Sequence, residues 1–141
     1  MIFPYYLTPE AKQILDLIAK AHFNIRENVS WCYSANYAGG VIKENKTFFI
    51  CTKTILNNSN PKFDINEAVY HESVHVAQAC RGMKPLGIPL KNMRLSSEKM
   101  HMINKSIALT KNEYTRRLEH EAYWLEDKPK ETIKHLRKFC F

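Results

Sequence analysis

The sequence has no apolar run approaching the 18 residues that a membrane-spanning helix needs, which excludes the helical membrane class. Only four Gly and six Pro in 141 residues exclude collagen-like and low-complexity chains. The four cysteines, Cys32, Cys51, Cys80 and Cys140, form no C-x-x-C, so they supply neither a thiol-only zinc site nor a redox pair. In a reducing compartment they are expected to be small buried hydrophobes, with Cys80 in the core rather than at a site. The opening residues MIFPYYLTPEAK lack the basic and apolar regions of a secretory signal, so the expectation is a cytoplasmic protein.

What the chain does have is a core. With 45% hydrophobic and 11% aromatic residues it is too apolar for disorder, and its length predicts one domain over residues 1–141. The net charge of +7 is a reason to consider an acidic partner, but basic and acidic residues interleave in the last third, from Glu113 to Lys138. No basic stripe interleaved with aromatics forms a single-strand platform, so the pattern argues against nucleic-acid binding.

Along the chain, Thr8-Pro9-Glu10 predicts a helix start, and apolar residues at three- and four-residue spacing carry that helix to about Phe23. From Asn28 to Thr52 the pattern predicts two or three short antiparallel strands with a hairpin near residue 45, followed by an Asn- and Ser-rich loop from Asn57 to Pro61. Asp64 and Glu67 have capping-box spacing and open a helix to about Ala79 or Arg81, with Gly82 placed to end it. Met83 to Leu90, with two Pro and Gly87, is a loop. Ser96 restarts helix, a break is expected near residues 110–112, and a last helix runs from about Pro129 to Phe139. The order predicts an α+β fold.

The sharp motif is His71-Glu72-Ser73-Val74-His75, an H-E-x-x-H on the helix that Asp64 opens. With 6 His and 11 Glu in the chain, chance would supply the pattern roughly 0.02 times. Residues four apart share a helix face, so both imidazoles can reach one zinc ion, while Glu72, about 100 degrees round the helix, flanks it as a general base for a metal-bound water. A third ligand must come from elsewhere. The downstream candidates are Glu119, Glu121 and, more distantly, His120. Tyr123, Tyr114, His120 and His101 are candidate oxyanion stabilisers. Asn66, Tyr70 and Gln78 are candidates to orient ligands.

HESVH followed by Val76-Ala77-Gln78 and Gly82, with a later E-x-E-A-Y, resembles the zincin metallopeptidases of the gluzincin type, in particular small HExxH-V-x-Q domains. The resemblance covers roughly residues 64 to 127. It implies a zincin-like fold: an N-terminal helix, a small antiparallel sheet, the active-site helix, then C-terminal helices. It implies Zn²⁺ held by His71, His75 and a Glu on the later helix. Glu119 with Ala122 three positions on fits the family's spacing, with Glu121 as the alternative. The implied function is a zinc-dependent hydrolase, a small metallopeptidase acting on protein or peptide. In such folds an edge strand beside the helix binds extended substrate, and Lys46 to Thr52 is the candidate edge. The alternative is a catalytically silent zincin-like module, structural or binding, in a larger assembly.

Overall fold

The computed structural model describes residues 1–141, with the side chains of all but residues 109 and 110. It is an α+β fold of six helices and a three-stranded mixed sheet: α1 (Pro9–Lys20), β1 (Asn24–Glu27), β2 (Gly39–Ile42), β3 (Thr47–Ile50), α2 (Thr52–Ile55), α3 (Pro61–Cys80), α4 (Ser97–Thr110), α5 (Tyr114–Leu125) and α6 (Pro129–Cys140). No helix among the described residues is long and apolar enough to cross a membrane.

α1 starts where the sequence says it must. The Thr8 hydroxyl accepts the Ala11 N–H at 3.1 Å, and Pro9 occupies the first turn, where a missing N–H costs nothing. It ends at Lys20, short of the expected Phe23, because His22 takes a left-handed conformation with φ +67° and turns the chain into β1.

The sheet departs from expectation in two ways. It is mixed, not antiparallel: β2 and β3 form the expected hairpin, but β1 runs parallel to β3, with Asn24 opposite Thr47 and Glu27 opposite Ile50. The strand order β1-β3-β2 also puts β3 in the centre, so the stretch Lys46 to Thr52 is not an edge. Its four residues are all buried, and both of its hydrogen-bonding sides are taken. The exposed edges are β1 and β2. Residues 28–33, expected as strand, form a loop and a single 3-10 turn instead.

α3 begins a turn earlier than Asp64. Asn60 caps it by accepting the Phe63 N–H at 3.3 Å and Pro61 takes the first position, so Asp64 lies inside the first turn. Gly82, at φ +72°, follows the Arg81 cap as expected. α3 is the central element, packed by α1, α5, α6, β2 and β3. Its buried residues, Ile65, Ala68, Val69, Val74, Val76 and Ala77 among them, therefore surround much of the helix. Each fully buried Ile or Val contributes about 1.5–3 kcal/mol.

The cysteine reading is corrected outright. All four cysteines are paired: Cys32–Cys51 with Cα atoms 5.5 Å apart, and Cys80–Cys140 at 5.2 Å, both ordinary disulfide separations. The first staples the segment before β2 to the end of β3. The second ties the end of the H-E-x-x-H helix to the last helix.

Candidate metal centre

His71 and His75 are one turn apart on α3 and point toward α5. There Glu119 meets them. His75 Nε2 lies 2.7 Å from Glu119 Oε1 and His71 Nε2 lies 3.4 Å from Glu119 Oε2. One ligand atom from each of the three residues falls within 4.8 Å of the other two. The imidazoles keep 13% of their side-chain surface and Glu119 20%, so the cluster is held in the wall yet reachable.

The structure brings Glu119, and not Glu121, to the two histidines. Residues two apart on a helix point about 200 degrees apart, so Glu119 and Glu121 cannot share a target. Glu121 is fully buried on the far side, where its carboxylate accepts the Leu86 N–H at 2.8 Å and Gln78 Nε2 at 2.9 Å, holding the loop after α3. His120 is engaged elsewhere too, with Nε2 2.6 Å from the Met93 carbonyl.

Behind the imidazoles, hydrogen bonds select the tautomer that metal binding needs. Gln78 Nε2 faces two acceptors, the Leu118 carbonyl at 3.0 Å and Glu121, so its Oε1 is the atom turned to His75. His75 Nδ1 must then be the donor in their 2.7 Å contact. His71 Nδ1 likewise donates to Glu126 Oε1 at 2.9 Å. In both rings Nε2 is left for the cluster, the arrangement in which imidazole serves as a metal ligand. Two nitrogens and a carboxylate are a donor set that suits zinc.

Gln78, one of the three residues the sequence offered for orienting ligands, is hydrogen-bonded to His75. Asn66 and Tyr70 are not. Asn66 accepts the Thr8 N–H and donates to the Tyr6 and Lys62 carbonyls, and the Tyr70 hydroxyl meets the Thr8 hydroxyl, so both anchor the N-terminal segment. Glu126 was missed, although it follows Glu119 by seven residues, close to two helical turns, and that spacing was the available signal.

Electrostatics follow from this crowding. Burial alone would lower the histidine pKa values, but hydrogen bonds to Glu119 and Glu126 raise His71 well above its ordinary value, and the Glu119 carboxylate raises His75. Burial pushes Glu119 up, yet the two imidazoles outweigh it and hold its carboxyl far below the usual range. Glu72 is raised, first by burial. Glu67 is raised by burial and by the charge of Glu126.

All of this opens into a cleft of about 840 Å³. One wall is the stripe Asp64, Glu67, His71 and His75 of α3. The opposite side includes Tyr37, Ala38 and Gly39 at the start of β2. Gly39 is there for space: a Cβ would lie 3.3 Å from Glu72 Cγ and 2.7 Å from the Phe49 carbonyl oxygen. Of the oxyanion candidates, Tyr123 lines the cleft, its ring edge-on to His71 with centroids 4.6 Å apart. Burial and the surrounding carboxylates raise its pKa, keeping it a phenol donor. Tyr114 instead donates to the Met83 carbonyl, and His101 is exposed outside the lining.

A sequence-family profile described as a domain of unknown function (DUF8637) matches residues 3–141. No curated protein and no solved structure matches the chain.

Proposed function

The chain belongs to the DUF8637 family, whose description carries no chemistry, so we infer its function from the cleft itself: a zinc-dependent hydrolase, a small metallopeptidase of the gluzincin type. One observation carries the reading. An H-E-x-x-H helix and a second helix converge His71, His75 and Glu119, with both Nδ1 atoms already donating elsewhere.

In this reading His71 Nε2, His75 Nε2 and the Glu119 carboxylate would hold the ion. A bound zinc would supply a Lewis acid beside the scissile carbonyl and lower the pKa of a bound water toward 7. Glu72 accepts the water proton on its carboxylate and passes it to the leaving amine. Its raised pKa suits a group that must both take and release a proton. Tyr123, as a neutral phenol in the cleft wall, can donate to the developing oxyanion. The substrate edge moves from the expected β3 to β2, whose outer side is unpaired and whose first residues line the cleft. An extended peptide can add there by main-chain hydrogen bonds.

The test joins metal content to turnover. Purified protein should carry about one zinc by elemental mass spectrometry, and His75→Ala and Glu119→Ala should lose it while Glu121→Ala keeps it. Glu72→Gln should keep zinc and fold but cleave unfolded protein about 10²–10⁴-fold more slowly. A Glu72→Gln protein as fast as wild type sinks the mechanism. Zinc retention with no cleavage of any substrate by wild type would favour the silent module.

A further inference from the structure

The protein as a whole is cationic, but its cleft is not. Six carboxylates line it, those of Asp64, Glu67, Glu72, Glu98, Glu119 and Glu126, against one lysine, Lys99, and no arginine. That lysine is already committed: its ammonium lies 3.6 Å from Glu126 and 3.7 Å from Asp127 and donates to the Tyr123 carbonyl. Even with a divalent cation at the histidines, the lining keeps a net charge of about −3. Lining of one sign focuses its field into a concave site.

Three of these carboxylates have no part in the chemistry above. Asp64 and Glu98 sit in the first turns of α3 and α4, where a helix dipole alone favours acid. Glu67 has no such excuse. It lies a turn further into α3, is half-buried, and its carboxylate makes no hydrogen bond or salt bridge among the described residues. A half-buried carboxylate facing the cleft beside Asp64 and Glu126 adds to a negative field that an incoming cation meets favourably. By helix rise it stands roughly 6 Å along α3 from His71, and Asp64 roughly 10 Å. At about 3.3 Å per residue of extended chain, that is two or three residues from the bond at the metal. Across the cleft mouth, Tyr37 is 41% exposed with Trp31 edge-on to it, and neighbouring Tyr33 already carries Lys53 Nζ 4.5 Å from its ring centre.

We propose that the substrate of this cleft is a cationic polypeptide segment, with a Lys or Arg two or three residues from the scissile bond received by Glu67 and its neighbours Asp64 and Glu98. The inference rests on the hydrolase reading for the position of the bond, but the charge preference is a property of the cleft and is measured without turnover.

The experiment uses the full chain carrying Glu72→Gln, with zinc present, and three labelled peptides of equal length in which two Lys/Arg positions are kept, changed to Gln or changed to Glu. Binding is read by fluorescence anisotropy. The basic peptide should bind about tenfold tighter than the Gln peptide, the size expected of two partly desolvated ion pairs. The Glu peptide should bind weakest, although the protein's +7 charge alone would rank it first. Adding Glu67→Gln and Glu98→Gln should remove most of the preference. Glu98→Gln alone, at an exposed position, should remove part of it without risk to the fold. Equal binding of the three peptides, tighter binding of the Glu peptide, or a preference that survives in the variants overturns the proposal. If the basic peptide binds with this preference but wild type cuts none of the three, the hydrolase reading fails and the charge selection stands. If wild type cuts all three equally, the hydrolase reading stands and the charge selection fails.

Discussion

Three side chains, His71, His75 and Glu119, share protons in the metal-free protein, and that sharing sets how pH acts on it. The histidine pKa values are raised against burial by Glu119, and by Glu126 for His71, so their stabilisation is fully present below the ordinary value of 6.5 and is lost as pH rises through the folded values. The Glu119 carboxyl is lowered by the imidazoles, so its stabilisation is present above its ordinary 4.5 and is lost as pH falls through its folded value. Both descriptions concern one interaction, and together they place the metal-free cluster's greatest contribution between about pH 4.5 and 6.5. Zinc held as proposed would need the same Nε2 atoms deprotonated and so would compete with protons. Melting curves across pH should therefore show a zinc-induced rise in Tm that grows from pH 6 to 8. A zinc effect independent of pH over that range would remove the histidines from the site.

At the scale of elements, the cleft exists because β2 can approach α3 closely. Gly39 permits this: the Cβ of an alanine would meet the backbone oxygen of Phe49 at 2.7 Å and the side chains of Ile50 and Glu72 at 3.2 and 3.3 Å. A backbone oxygen in a central strand cannot move aside cheaply. Gly39→Ala should cost about 1–3 kcal/mol in chemical denaturation and should lower cleavage more than zinc content, because it displaces the β2 edge and not the ligands. Unchanged denaturation and unchanged cleavage would mean that β2 has slack and is not the substrate edge. α5 makes the matching approach from the other side, with Ala122 fully buried three residues after Glu119.

For the whole molecule, the two disulfides set the frame. Cys80–Cys140 closes a separation of 60 residues and Cys32–Cys51 one of 19, which loop-closure entropy values at about 4 and about 3 kcal/mol. Native protein should show no titratable thiol, and the Cys80→Ala/Cys140→Ala double variant should lose stability of that first order and melt well below wild type. Four reactive thiols in the native protein would refute the pairing. Such bonds persist in oxidising surroundings and are rare in a reducing cytosol, so the thiol titration is made without added reductant.

Local rules were enough for whatever local chemistry controls. Thr8-Pro9, Ser96, Gly82 and the apolar spacing of α1 mark real helix boundaries, and the four-residue spacing of His71 and His75 puts both on one face whatever surrounds them. Asn60-Pro61 was equally legible as a cap and start, but the Asp64–Glu67 spacing competed with it and masked the earlier boundary. Pairing between distant segments was not legible. The parallel docking of β1 on β3, the central place of β3, the meeting of Glu119 rather than Glu121 with the two histidines and the joining of Cys80 to Cys140 each depend on which faces meet across tens of residues. Helix periodicity states which residues share a face, but only packing around α3 states what that face meets, and that is where the His71–His75–Glu119 cluster, its hydrogen-bonded neighbours and the acidic cleft were decided.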